Sequence, residues 1–221
     1  LGNVKTMMDA KMKGMVMAGM MALSLVLGAM AVFSDTWLTS EDTEEGMTTT
    51  TNTGLSTYQQ VGDMGDSDMC EGMGAMMEEM VEDSESECDG SELTWTAPMS
   101  NFCEMLDDMG DESSADDCND TASAGSMGAM GMWGGIVLAL LATLMMVLPM
   151  AGIDAMDGIP EIGQKVISWG AGGLMLLGLL MWYFMLPDGD SDIGSGLLMA
   201  GAAMTIALGS TAIGQFIPEN E

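Results

Sequence analysis

The chain has 221 residues, 48% of them hydrophobic, yet its formal net charge is -30, with 34 acidic residues against four Lys, no Arg and no His. This pairing excludes imidazole as a general base or metal ligand and guanidinium as a bidentate clamp, and it requires apolar and acidic residues to occupy separate segments. A polyanion also repels nucleic acid and anionic headgroups, so neither is an expected partner of the acidic part.

Residues 1–13 carry Lys5, Lys11 and Lys13 and read as a cytoplasmic N-terminus. Residues 14–34 (GMVMAGMMALSLVLGAMAVFS) are uncharged and, at about 1.5 Å per residue, just long enough to cross a hydrocarbon core. A cleaved signal peptide is the second reading, because the run is long for an h-region and no A-x-A site precedes Asp35. Residues 35–126 form an acidic extracytoplasmic domain that holds every cysteine and no Lys or Arg. A second span covers residues 127–153, a cytoplasmic loop 154–165, a third span 166–187, a short outer turn 188–192, a fourth span 193–217 and a cytoplasmic C-terminus 218–221.

Orientation follows from the lysines, which all lie before the first span or, as Lys165, between the second and third. Both positions share one side, so both termini are cytoplasmic and the chain is a multi-pass protein of the cell membrane. Trp37, Trp133, Trp182 and Tyr183 fall at outer span boundaries and Trp169 at an inner one, as interfacial anchors do. Small residues repeat every four positions at Gly135, Ala139 and Thr143 in the second span. The fourth repeats them at Gly201, Thr205 and Gly209, with Ala203, Ala207 and Thr211 alongside. Such faces let helix backbones approach closely in lipid. No ionisable residue lies inside a span, which argues against a pump or secondary transporter.

Within the outer domain, the Thr-rich run from Glu41 to Val61 suits extended strands or a glycan-bearing stalk better than helix. Met73, Met76, Met77, Met80 and Val81 share one helical face. A second short helix is expected behind a capping box at Asn101 and Glu104, ending at Gly110. Two short helices and a small extended portion are therefore expected.

Cys70, Cys88, Cys103 and Cys118 are an even set in the oxidising compartment, so two disulfides are expected. All three connectivities stay open. Pairing Cys70 with Cys103 would join the two short helices and leave Cys88 for Cys118. Met73, Met76, Met77 and Met80 put thioethers on one side of a helix, a soft ligand set that would select Cu(I). The competing reading is Met as an adaptable filler, since the chain holds 30 of them. Asp188, Asp190 and Asp192, and likewise Asp63, Asp66 and Asp68, are incomplete calcium loops fit only for weak divalent binding. No other cofactor is expected beyond weakly held Ca or Cu. Asn119 heads the sequon Asn119-Asp120-Thr121. No catalytic residue is assigned, because no base or cation near the cysteines could lower a thiol pKa.

Four spans, internal termini, a large cysteine-bearing first outer loop, a short second one and Trp37 just after the first span resemble the claudin and peripheral-myelin-protein class of tetraspan proteins in layout. That family's loop carries Gly-Leu-Trp followed closely by two cysteines, whereas here the tripeptide is absent and the cysteines are 15 to 18 residues apart. The expected fold is a mainly α membrane protein, a four-transmembrane-helix bundle with a small disulfide-stabilised α+β outer domain between helices 1 and 2. The expected function is non-enzymatic, through lateral assembly, adhesion or service as the accessory subunit of a membrane complex. Expected partners are membrane lipid and a protein, either a second copy or a different subunit. An extracytoplasmic metal-binding protein is the alternative.

Overall fold

A computed structural model describes residues 10–44, 47–153, 160–187 and 191–216. In chain order the elements are α1 (Ala10–Val32), β1 (Leu38–Glu44), β2 (Met47–Thr53), β3 (Thr57–Asp63), α2 (Ser67–Met80), β4 (Glu85–Asp89), β5 (Glu92–Pro98), α3 (Met99–Asp108), α4 (Glu112–Met150), α5 (Glu161–Met185), β6 (Asp192–Ile193) and α6 (Ser195–Phe216). The fold is mainly helical, and α1, α4, α5 and α6 are long and apolar enough to cross a membrane. The chain divides into two compact units, one drawn from Leu1–Met30, Met130–Leu179 and Met199–Glu221, the other from Ala31–Ala129 and Leu180–Leu198.

In the first unit, small residues set how closely the helices approach. A Cβ on Gly135 of α4 would stand 2.8 Å from the Ala171 carbonyl of α5, and one on Gly172 of α5 would stand 2.7 Å from the Leu208 side chain of α6. Ala139, Ala171, Ala203 and Ala207 are fully buried, and Met21, Met132 and Met175 fill the gaps between them. Hydroxyls bridge helices to backbone: Ser24 donates to Ala203 O at 2.7 Å, Ser210 to Met17 O at 3.0 Å and Thr211 to Ser168 O at 3.0 Å. Each bond satisfies a buried hydroxyl that would otherwise be costly away from water.

The second unit is built on an antiparallel sheet in the order β4-β5-β3-β2-β1-β6. Leu93, Trp95 and Ala97 alternate into the core along β5, the period-2 pattern of a strand covered on one face. Helices α2 and α3 supply that cover. Gly90, at φ 67°, makes the two-residue β4–β5 turn that a side chain would strain. On the opposite face, register sets Thr39, Asn52, Gln59 and Thr96 side by side, joined by side-chain hydrogen bonds of 3.2, 3.0 and 3.4 Å.

Several expectations change. The small extended portion is a six-stranded antiparallel sheet, in which the Thr-rich β1–β2–β3 meander continues into β5 and β4. Its last strand comes from the final interhelical connection: β6 pairs with β1, Leu38 opposite Ile193 and Thr39 opposite Asp192. Helix α3 starts at Met99 behind Pro98 with no side-chain cap, and Asn101 instead donates to Glu82 O at 2.7 Å. Helix α4 begins at Glu112, not near residue 127, and its 39 residues extend about 58 Å. Asp111 caps it, accepting the Ser114 N–H at 3.3 Å.

Candidate functional site

The acidic second unit carries the residues with chemical character. Asp66 caps α2 by accepting the Met69 N–H at 2.8 Å, and Asp63 accepts the Gly65 N–H at 2.9 Å. Two of the three carboxylates expected in an incomplete calcium loop therefore serve local backbone turns, and the third, Asp68, is exposed in the first turn of α2. Asp188 and Asp190 lie outside the described residues, and Asp192 is placed in β6. Among the described residues no group of three or more Cys, Asp or Glu is arranged to hold a metal ion.

Three carboxylates have pKa values below the usual range. Glu78 is held down by the hydroxyl and then the N–H of Ser86, Asp63 by the Gly65 N–H and then Ser91, and Asp111 by Ser114 and Ser113. Each stays ionised near neutrality, which suits caps and ties rather than proton donation. Tyr58 moves the other way: burial raises its pKa, only partly offset by a hydrogen bond with Thr51. Its ring stacks on Phe102 at 3.9 Å and meets Trp95 edge-on at 5.9 Å.

The four cysteines form two disulfides, Cys70–Cys88 and Cys103–Cys118. The pairing of Cys70 with Cys103 is therefore incorrect. The reason is geometric: α2 lies along β4, bringing Cys70 and Cys88 to a Cα separation of 6.1 Å, while α3 turns directly into α4, bringing Cys103 and Cys118 to 5.5 Å. Each bridge closes a loop whose entropy cost in the unfolded chain amounts to about 3 kcal/mol.

The four α2 methionines expected to form one soft ligand set have different surroundings. Met73 and Met77 pack against the core around Trp95, while Met76 and Met80 are about half exposed. The apolar stripe is centred instead on Cys70, Gly74 and Val81, and Gly74 lets α2 settle on β4, where a Cβ would stand 2.6 Å from Ser86 Oγ. Met64, from the loop after β3, joins Met73 and Met77 and was not singled out from the sequence.

Asn119 is exposed on α4, one residue after a bridged cysteine, and the Thr121 hydroxyl of its sequon is turned back to Asp117 O at 2.9 Å. Trp37 and Trp182 are not interfacial anchors but a buried edge-to-face pair with centroids 5.1 Å apart, and the Trp37 indole donates to Ala31 O at 2.7 Å. Trp133, Trp169 and Tyr183 are exposed. Of the packing residues, Gly135 and Ala139 are buried, and Thr143 donates to Ala139 O within its own helix. In α6 the buried row is Ala203, Ala207 and Thr211; a Cβ on Gly201 would meet nothing within 4 Å, Thr205 is exposed, and Gly209 approaches only Met20.

No protein-family model matches the chain, and no curated protein matches it.

Proposed function

We propose that this is a multi-pass protein of the cell membrane, both termini cytoplasmic, in which α1, α4, α5 and α6 cross the bilayer and present the acidic, disulfide-stapled unit on the extracytoplasmic side. Its role is non-enzymatic: lateral assembly with a second copy or another membrane subunit. The reading rests chiefly on the outward faces of the four helices, where Leu23, Val137, Leu177 and Phe216 are 50%, 52%, 55% and 76% exposed. Apolar surface on this scale is excluded from water only by lipid or a partner. Lateral assembly is supported by α6, where among the described residues a Cβ on Gly201 would meet nothing within 4 Å and Thr205 is exposed, a small-residue face open to a neighbouring helix. The lysine placement supports the orientation, and the claudin-like layout agrees with it.

Native mass spectrometry of the protein released gently from membranes tests the proposal. An oligomer or hetero-complex that resists alkaline extraction from membranes, and dissociates when Gly201→Leu and Thr205→Leu are introduced, is expected. A chain that remains monomeric in mild detergent with no co-purifying subunit would reject assembly, and recovery in the soluble fraction would reject the membrane reading itself.

A further inference from the structure

Helix α2 crosses the covered face of the sheet and leaves beneath it a cavity of about 100 Å³. The space exists because Gly62 on β3 has no side chain there; a Cβ would stand 3.1 Å from Met64 Cε. Met64, Met73 and Met77 line the cavity together with Gln60 and Trp95. Met73 and Met77 are one turn apart on α2, so their side chains leave the helix in nearly the same direction, and Met64 arrives from a separate segment. Trp95 is only 2% exposed, yet its indole N–H has no hydrogen-bond partner among the described residues. Buried donors are almost always paired, so the described residues do not complete this site.

The ligand class follows from what is present. All four cysteines are consumed in disulfides and the chain has no His, which leaves thioether sulfur as its soft donor. Thioethers carry no proton and no charge, and they select soft cations such as Cu(I) over Ca or Mg. The surrounding acidic surface raises the local concentration of any cation.

We propose that the cavity under α2 binds one soft monovalent metal ion, Cu(I) or its analogue Ag(I), through the sulfurs of Met64, Met73 and Met77. Three thioethers leave a further position for a water molecule, the kind of acceptor that the Trp95 indole lacks. Met76 and Met80, 48% and 49% exposed, take no part.

The test is a titration of the full-length, disulfide-bonded protein in detergent with Ag(I) in chloride-free nitrate buffer, with all methionines labelled at the ε-methyl carbon for NMR. The ε-methyl signals of Met64, Met73 and Met77 should move first and together, saturating at a single equivalent. Met64→Leu, Met73→Leu and Met77→Leu should each lower the affinity by about tenfold or more, since losing even a supporting group at a metal site has effects on that scale. Met76→Leu and Met80→Leu should change nothing. Simultaneous movement of all methionine signals without a saturating first equivalent would overturn the proposal. So would loss of binding on replacing Met76 and Met80 alone. The wild-type titration decides the matter without reference to how any variant folds.

Discussion

Glu78 on α2 accepts two hydrogen bonds from Ser86 on β4, from the backbone N–H at 2.7 Å and from the hydroxyl at 2.6 Å. One carboxylate therefore ties the helix to the edge strand of the sheet, beside the Cys70–Cys88 bridge that joins the same two elements.

The tie makes acid stability depend on Glu78. Its pKa is lowered in the folded chain, so its contribution is fully present above the ordinary Glu value of about 4.3 and is lost as pH falls through the lower folded value. Glu78→Gln should lower stability modestly at neutral pH and approach wild type below about pH 4.3, so that the acid limb of the stability curve is flatter. Thermal unfolding between pH 3 and 7, about the span of carboxylate titration, measures this directly; an acid limb identical to wild type would show that the tie does not matter.

The disulfides predict a specific peptide map. Digestion without reduction should yield one linked pair containing Cys70 and Cys88 and another containing Cys103 and Cys118. Replacing Cys103 and Cys118 together by Ser should cost about 2–4 kcal/mol in the sheet unit, read as a lowered midpoint in its urea unfolding. A linked Cys70–Cys103 peptide would contradict the packing of α2 on β4.

The buried tryptophan pair should be intolerant of truncation. Trp37→Ala removes the ring contact with Trp182 and leaves the Ala31 carbonyl without its indole donor. A loss of about 3–5 kcal/mol is expected, measured by thermal denaturation in detergent. Trp37→Phe should recover part of it, because the ring contact survives and the hydrogen bond does not.

The helices separate packing inside the chain from packing between chains. On α4, Gly131 lies against the backbone of Gly178, and its Cβ would also stand 3.0 Å from the Leu174 carbonyl. Gly131→Leu should therefore destabilise the helical unit itself by more than about 2 kcal/mol. Gly201→Leu should leave the melting temperature of the isolated chain within a few degrees of wild type, because open space surrounds that position. Equal destabilisation by the two substitutions would mean that the α6 face is already covered.

How much was legible in the sequence can be read from particular residues. An apolar run long enough to span a bilayer is a local property, so four such helices followed from residue order alone, and the Thr-rich composition of residues 41–61 argued against helix there without delimiting β1 to β3. An even cysteine count announced two bridges. Which cysteines pair was not local: it depends on α2 lying along β4, a contact that Gly74 and Ser86 permit and that no spacing rule encodes. The methionine stripe was nearly right in period but wrong in centre. Side chains 100° apart on a helix leave the buried direction undetermined until the sheet is in place, and Cys70, Gly74 and Val81, not Met76 and Met80, took it.

The sequence by itself thus determined the number of apolar helices, the separation of acidic from apolar chain and the presence of a disulfide-bonded sheet unit, because each depends on composition within a few turns or strands. Only the tertiary structure decided the cysteine pairing, the addition of β6 to β1, the burial of Trp37 on Trp182 and the choice of Ala203 over Gly201 as the packed row of α6. Those outcomes are set by which surfaces meet across long stretches of chain, and several sequence-compatible alternatives remain equal until side-chain shape excludes all but one.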